Sequence, residues 1–304
     1  MAFGKLQHYA SLDEAIASIF GNNIKVTETQ RVYGGDINRS YRLALSDGGQ
    51  VFLKTNPEGQ AGFFQAEAAG LSAISKTGAI GAPKALCTGE DCGGLGGAFL
   101  LLEFLEKTAY AADYWEVFGH QLADMHRAGT KDFVDGGTFG FYQDNYIGAN
   151  RQKNAASESW AAFFRDCRLQ PQIAQAGRYF DSMDRARIHK LLGKLDDILV
   201  EPKQPSLLHG DLWSGNFMAG KDSKAWLIDP AVSVGHAEAD IAMTELFGGF
   251  PQRFYDAYRE GGCIQEGYEG RRNLYNLYHL LNHLNLFGGT YLHPVRDIIR
   301  EYTR

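Results

Sequence analysis

The chain has 304 residues, 44% of them hydrophobic and 22% charged, which is the composition of an ordinary globular protein. Its formal net charge of −6 excludes a global positive field, so we expect neither nucleic acid nor an anionic membrane as a partner. The length suffices for one large domain or two lobes. The longest near-continuous apolar run, 98–105, is interrupted by Glu103 and is too short to span a bilayer.

The N-terminal segment and the cysteines favour a reducing compartment. Residues 1–15 lack the apolar core of a signal peptide, and a cytoplasmic location is therefore expected. The cysteines form no C-x-x-C motif and no cluster with zinc spacing, so they are expected to be reduced thiols. They are Cys87, Cys92, Cys167 and Cys263.

The first third of the chain is predicted to form a small sheet with two helices. The capping box at 11–14 begins a short helix that ends near Phe20. Residues 60–76, rich in Ala, Gln, Glu and Leu, are predicted to form a second helix. Residues 47–49, Asp-Gly-Gly, predict a hairpin turn between two strands. Strands are predicted over 25–33, 40–45, 50–55 and 98–104.

After Leu105 the pattern becomes mainly helical. Helices are predicted over 114–128, 157–170, 184–200, 237–247, 253–260, 270–287 and 294–302. Two short strands are predicted at 206–208 and 225–228. These elements indicate an α+β fold with a β-rich N-lobe at residues 1–105 and a helical C-lobe at residues 106–304.

The segment 207–216, LLHGDLWSGN, carries the clearest chemical signal. Asp211 and Asn216 lie five positions apart, and Asp229 follows the apolar residues 226–228. Protein kinases use the same order. There the first Asp accepts the proton of the attacking hydroxyl, while the Asn and the second Asp hold Mg²⁺ against the triphosphate. The alternative is that H-G-D and the later D-P form only a turn and a helix cap.

A glycine-containing segment lies between the first two predicted strands. It comprises Gly34, Gly35, Asp36, Ile37 and Asn38. Glycines there would allow backbone amides to approach phosphate oxygens. The segment is neither G-x-G-x-x-G nor a Walker A loop, and an ordinary hairpin loop is the alternative. Its position before a lysine-bearing strand favours nucleotide binding.

Lys54 ends an apolar strand, and Glu67 lies on the helix that follows. In a kinase these residues would pair, and the lysine would contact the α- and β-phosphates. The alternatives are a lysine that extends to the surface and a solvated glutamate. Glu103, Phe104 and Leu105 occupy the position of a hinge strand whose backbone would bind the adenine edge, although any buried strand could have the same composition.

Several residues near the motif are candidates for acceptor binding or support. Trp213 lies where protein kinases commonly have a lysine, and an aromatic ring there suits a sugar or another small flat-faced acceptor. The alternative is that Trp213 only packs on the catalytic loop. His236 and Glu238 are predicted to line the acceptor pocket with it. Asp240 could hold the catalytic loop through backbone amides or be a helix-surface charge. His126 is predicted to be a packed core histidine rather than a catalytic one.

Four segments together resemble the fructosamine-3-kinase (ketosamine-3-kinase) family. They are GGDIN, SWAAFFRDCRLQPQI, HGDLWSGN and IDPAVSVGHAEADIAMTELFGGF. The family is related to aminoglycoside phosphotransferases and shares the two-lobed protein-kinase-like fold, and the resemblance covers residues 32–302. It implies ATP-dependent phosphorylation of the 3-hydroxyl of a ketosamine, such as a fructosamine or a ribulosamine, free or protein-bound. Some members use a loop cysteine for redox-linked dimerisation, but here the loop has Asp36 and no cysteine.

Two other functions stay open at this point. An aminoglycoside, choline or homoserine kinase would keep the fold and change the acceptor, because a fold does not determine a substrate. An aminoglycoside kinase would need an acidic pocket for a polycation. A catalytically silent nucleotide-binding scaffold would need a lost catalytic residue, and each expected residue type is present in the sequence.

Overall fold

The computed structural model describes residues 6–33, 38–56, 61–220 and 222–304. The chain divides into two compact units. The first unit comprises residues 1–114 and 218–229, and the second comprises residues 115–217 and 230–304. A short later segment therefore belongs with the N-terminal unit. The division into lobes at 1–105 and 106–304 stays a prediction.

The first unit contains a six-stranded sheet. Its strands are β1 (His8–Tyr9), β2 (Val26–Val32), β3 (Arg39–Leu45), β4 (Gln50–Asn56), β5 (Ala85–Asp91) and β6 (Gly97–Glu103). The order across the sheet is β1-β5-β6-β4-β3-β2, and only β1 and β5 pair in parallel. The four predicted strands are confirmed. Strands β1 and β5 were not predicted, because β1 has two residues and β5 contains a glycine and two acids.

Two helices, α1 (Leu12–Phe20) and α2 (Ala61–Lys76), accompany this sheet, as predicted. The Ser11 hydroxyl accepts a hydrogen bond from the Glu14 amide at 3.2 Å, which confirms the N-cap. Helix α1 buries Ile16 in a core that also contains Leu43 and Phe99. Complete burial of each large apolar side chain stabilises the unit by about 1.5–3 kcal/mol.

The second unit is mainly helical. Its helices are α3 (Tyr114–Arg127), which begins at the last residue of the first unit, α4 (Trp160–Phe163), α5 (Gln170–Gln175), α6 (Ser182–Leu192), α7 (Leu195–Ile198), α8 (Glu238–Leu246), α9 (Gln252–Glu260), α10 (Tyr268–Phe287) and α11 (Leu292–Glu301). Short 3₁₀ turns occupy Ala176–Tyr179 and Gly289–Tyr291. The predicted helix 157–170 is in fact α4 followed by a π-helical turn, Phe164–Leu169. The predicted helix 184–200 is interrupted between α6 and α7.

The remaining strands of the described residues are short. They are β7 (Asn145–Ile147), β8 (Asn150–Gln152), β9 (Ser206–Leu208), β10 (Phe217–Ala219), β11 (Ala225–Leu227) and β12 (Ser233–Gly235). They pair as β7 with β8, β9 with β12 and β10 with β11. The motif lies between β9 and β10, and Asp229 follows β11. Among the described residues, no helix is long and apolar enough to cross a membrane.

Candidate active site

In the first unit Lys54 lies between two carboxylates. Its backbone pairs with Ser40 of β3 and Leu100 of β6, and its side chain is only 8% exposed. The Nζ atom donates a 2.7 Å hydrogen bond to Oε1 of Glu67 on α2 and another to Oδ1 of Asp229. The predicted Lys54–Glu67 pair is therefore present, and the surface-lysine alternative is wrong.

The two carboxylates keep Lys54 charged although it is buried. Burial by itself would lower the pKa of Lys54, but Asp229 and Glu67 outweigh burial and raise that pKa above its ordinary value. Burial raises the pKa of Glu67, and the neighbouring ammonium opposes this change. A fixed ammonium of this kind is suited to binding an anionic phosphate chain.

Asp229 is in a backbone conformation that is rare for residues other than glycine. Its φ angle is +54°, and Pro230 follows it. The left-handed region costs an L-residue roughly 1–2 kcal/mol, and aspartate is among the residues that tolerate it best. Such outliers persist where the surrounding structure determines the conformation, often at functional sites. The Asp229 side chain is 43% exposed, so its carboxylate is accessible to a ligand.

In the second unit, hydrogen bonds join Asn216 to Asp211 within the predicted catalytic loop. The Asn216 amide nitrogen donates to the backbone carbonyl of Asp211 at 2.8 Å and to its Oδ2 at 3.0 Å. The Asp211 backbone amide donates to Nδ1 of His209 at 3.2 Å. Residues 206–220 are described throughout and no helix begins among them, so Asp211 does not cap a helix.

Asp240, on α8, holds the backbone of this loop. Its Oδ2 accepts a hydrogen bond from the His209 amide at 2.7 Å, and its Oδ1 accepts one from the Gly210 amide at 2.8 Å. His126 Nε2 lies 3.1 Å from Oδ2, and Nδ1 of the same ring lies 2.6 Å from the Tyr258 hydroxyl. Both Asp240 and His126 are buried. The loop-holding alternative for Asp240 and the packed-core prediction for His126 are confirmed.

Gly210 occupies a position that only glycine can take without rearrangement. Its φ angle is +82°, and a Cβ atom there would lie 2.0 Å from the backbone oxygen of Ala231. The Ala231 amide in turn donates to the His209 carbonyl at 2.9 Å. Residues 209–210 are thus packed directly on the backbone that follows Pro230.

Trp213 is the most exposed of the predicted acceptor residues, with 38% of its surface accessible. Its indole also covers Gly215, because a Cβ atom on that glycine would lie 2.4 Å from the ring. One part of the ring therefore packs on the loop, and another part is open to solvent.

The structure does not support His236 and Glu238 as residues that line an accessible pocket. Both are fully buried. The Glu238 carboxylate accepts two hydrogen bonds from Arg271, at 2.7 and 2.9 Å, and one from the Gln265 amide at 3.0 Å. Burial lowers the pKa of His236 to about 4, so its ring is neutral at pH 7. The prediction is corrected: this pair belongs to the interior of the second unit, because Arg271 satisfies the buried carboxylate there.

The predicted phosphate-binding loop falls mostly outside the described residues, which exclude Gly34, Gly35, Asp36 and Ile37. Its last member, Asn38, accepts through Oδ1 a 3.1 Å hydrogen bond from the side-chain Nδ2 of Asn56. Its role in nucleotide binding stays a prediction.

The predicted hinge begins at the end of β6. The Glu103 amide donates to the Lys84 carbonyl at 3.0 Å, and the Glu103 carboxylate accepts from the Lys84 amide at 2.7 Å. The Arg42 guanidinium lies 5.6 Å from the centre of the Phe104 ring. These contacts hold Glu103 and Phe104 beside the sheet, and adenine binding by residues 103–105 stays a prediction.

Magnesium binding by Asn216 and by Asp229 stays a prediction. A carboxylate and an amide carbonyl supply the oxygen ligands that this ion prefers. Among the described residues, no group of three or more acidic, histidine or cysteine side chains could hold a metal.

The sequence did not predict two amide side chains that bind backbone carbonyls near the catalytic loop. Asn145 Nδ2 donates to the Val232 carbonyl at 2.7 Å, and Gln152 Nε2 donates to the Ala231 carbonyl at 3.0 Å. The partners are 87 and 79 positions apart along the chain, so no local pattern could indicate them.

The chain is similar to known proteins over nearly its whole length. The family model for fructosamine kinase matches residues 8–304. A chloroplastic protein-ribulosamine 3-kinase from Arabidopsis thaliana is 37% identical over 289 residues, which cover 93% of this chain and 85% of the relative. A putative fructosamine-3-kinase from Thermobifida fusca has a solved structure with a TM-score of 0.82 and 32% identity, covering 97% of this chain and 99% of the other.

A more distant solved structure bears on the fold alone. The aminoglycoside phosphotransferase APH(4)-Ia, in a ternary complex with AMP-PNP and hygromycin B, matches with a TM-score of 0.60 and 13% identity. The match covers 96% of this chain and 99% of the other. The predicted protein-kinase-like α+β fold is confirmed.

Proposed function

The chain belongs to the fructosamine kinase family and is a kinase, and from this premise we propose that it transfers phosphate from ATP to the 3-hydroxyl of a ketosamine. The observation that carries the proposal is the buried Lys54 ammonium between Glu67 and Asp229, together with the Asp211–Asn216 loop. The choice of the 3-hydroxyl is supported by two relatives, one named a ribulosamine 3-kinase and the other a putative fructosamine-3-kinase.

Lys54 would position the triphosphate of ATP. Its ammonium is oriented by hydrogen bonds to Glu67 and Asp229. A cation whose geometry is set in advance stabilises developing phosphoryl charge without reorganisation during the reaction. The amides of 34–38 would contribute to phosphate binding, and the backbone of 103–105 would bind adenine.

Asn216 and Asp229 would hold Mg²⁺ through their side-chain oxygens. When bound, this ion would supply positive charge that offsets the charge developing on the phosphoryl group during transfer. The Asn216 amide nitrogen is already committed to Asp211, so its oxygen is the atom suited to a cation.

Asp211 would accept the proton of the acceptor hydroxyl and orient that hydroxyl for in-line attack. The hydrogen bond from Asn216 to its Oδ2 restrains the carboxylate. Most of the acceleration would then come from positioning and electrostatics, as in other phosphoryl transferases.

The partly exposed ring of Trp213 would pack against the carbon face of the sugar. A protein-bound ketosamine is the favoured acceptor, because a relative that is 37% identical is named a protein-ribulosamine 3-kinase. A free ketosamine would present the same sugar to the site.

The proposal is tested by measuring ADP release with Mg²⁺-ATP and a panel of acceptors: ribulosyl-lysine, fructosyl-lysine, a glycated peptide, an aminoglycoside and choline. Turnover of ketosamines is expected, and ³¹P and ¹³C NMR of the product should locate the phosphate on O3. Turnover of only the aminoglycoside or choline would contradict the proposed acceptor. ATP binding without turnover of any acceptor would favour the scaffold alternative.

A further inference from the structure

Two buried backbone carbonyls beside the catalytic loop are bound by side chains from a distant hairpin. Asn145 on β7 donates to the carbonyl of Val232, and Gln152 on β8 donates to that of Ala231. All four residues are at most 2% exposed. Buried carbonyls need hydrogen-bond donors, and here both carbonyls receive one from an amide side chain.

These amides belong to a connected network. Gln152 Nε2 also donates to Asn145 Oδ1 at 2.8 Å, and Gln152 Oε1 accepts from the Tyr278 hydroxyl at 2.6 Å. Asn154 donates to Asn145 Oδ1 at 3.0 Å and accepts from Arg168 at 2.8 Å. Because each amide is oriented by a second partner, its donor is held toward the carbonyl it serves.

Gln152 binds the carbonyl of Ala231, and this carbonyl packs against Gly210 of the catalytic loop. A Cβ atom on Gly210 would lie 2.0 Å from the Ala231 oxygen, and the Ala231 amide donates to the His209 carbonyl. Displacement of Ala231 would therefore displace residues 209–210, which directly precede Asp211. Asp240 binds the amides of those same two residues.

We propose that Asn145 and Gln152 form an amide clamp that positions the catalytic loop through the backbone of Ala231 and Val232. They are positioning residues and contact no substrate. The expected effect of the amide clamp on catalysis rests on the proposed function. Its expected effect on the order of the loop backbone does not.

Three variants separate the amide clamp from general packing. Gln152→Ala removes the donor to Ala231. Tyr278→Phe keeps the ring and removes only the hydroxyl that orients Gln152. Asn150→Ala is the matched control, because Asn150 lies on the same β8 strand and makes two side-chain hydrogen bonds, at 2.8 Å each, to Asn282 and Gln175.

The first measurement is hydrogen exchange of peptides covering 207–216 in the full-length protein, without substrate. Gln152→Ala should speed exchange of the amides at 209–211 by about tenfold or more, the size expected from a lost hydrogen bond to a buried group. Tyr278→Phe should have a smaller effect of the same sign, and Asn150→Ala should leave these amides unchanged.

The second measurement is steady-state kinetics with a ketosamine. Gln152→Ala should lower kcat by roughly 10- to 100-fold, because small displacements of a catalytic group have effects of this size. KM for ATP should change by less than about threefold, because a displaced Asp211 affects the transition state more than nucleotide binding. A purely structural role would lower the melting temperature without this separation of kcat from KM.

Loop exchange and kcat in Gln152→Ala that match those of Asn150→Ala would overturn the inference. If Gln152→Ala does not fold, Tyr278→Phe decides, and unchanged loop exchange in that variant would overturn it equally. If the wild-type protein phosphorylates no ketosamine, the proposed function fails, and the exchange measurement still tests the amide clamp.

Discussion

The substitution Asp240→Asn tests whether one buried carboxylate holds the catalytic loop. Asp240 accepts hydrogen bonds from the His209 and Gly210 amides and lies 3.1 Å from His126 Nε2. An asparagine side chain is nearly the same size but has only one acceptor oxygen. At least one backbone amide would then face a donor and lose its partner.

The expected cost follows from these contacts. A buried donor left without a partner costs about 1–3 kcal/mol, and a hydrogen bond to a charged group contributes about 1.5–3 kcal/mol. Relief from burying a charge offsets part of this loss. We expect the free energy of unfolding to fall by about 2–4 kcal/mol. Because the loop carries Asp211, kcat should also fall by about 100-fold.

The loss of stability caused by Asp240→Asn should depend on pH. Burial by itself would raise the pKa of Asp240, but His126, His209 and the Gly210 amide outweigh burial and lower this pKa below its ordinary value of 3.8. A lowered folded-state pKa means that the charged form contributes its full stability above the unfolded-state pKa. The difference in stability between wild type and Asp240→Asn should therefore shrink as the pH falls below about 4.

Urea denaturation followed by tryptophan fluorescence measures this difference. Asp256→Asn is the matched control, because that side chain is 62% exposed and its removal should change stability by less than about 0.5 kcal/mol. Stability and kcat of Asp240→Asn that equal those of the control would refute the role assigned to Asp240.

Three further predictions concern the residues proposed for chemistry and binding. Asp211→Asn should lower kcat by about 100- to 10,000-fold with the Kd for ATP nearly unchanged, and retention of more than about a tenth of kcat would count against its role as base. Asp229→Asn and Asp229→Ala should both raise the Mg²⁺ concentration needed for activity at fixed ATP, and asparagine tolerates the left-handed backbone at this position. An unchanged Mg²⁺ requirement in both variants would remove Asp229 from the metal site. Trp213→Ala should raise KM for a ketosamine about tenfold while KM for ATP holds steady; a lower melting temperature with both KM values unchanged would make Trp213 structural.

The sequence determined the family, the fold class and the principal elements. These depend on local patterns: the Asp211-to-Asn216 spacing, the capping box before α1, and the order of a lysine strand followed by a glutamate helix. Lys54 and Glu67 could be paired in advance because β4 and α2 are consecutive along the chain, and their ion pair is present.

Only the tertiary structure decided which charges near the motif are buried and what they bind. The sequence predicted that His236 and Glu238 line the acceptor pocket. In the structure Arg271, 33 positions after Glu238, neutralises the Glu238 carboxylate in the interior. The sequence alone allowed Asp240 to be a surface charge, whereas in the structure it binds the loop amides. Gln152 had no local signal, because its partner Ala231 is 79 positions away. Spacing within a motif is a property of the local chain, whereas burial and long-range hydrogen bonds arise only when distant segments pack together.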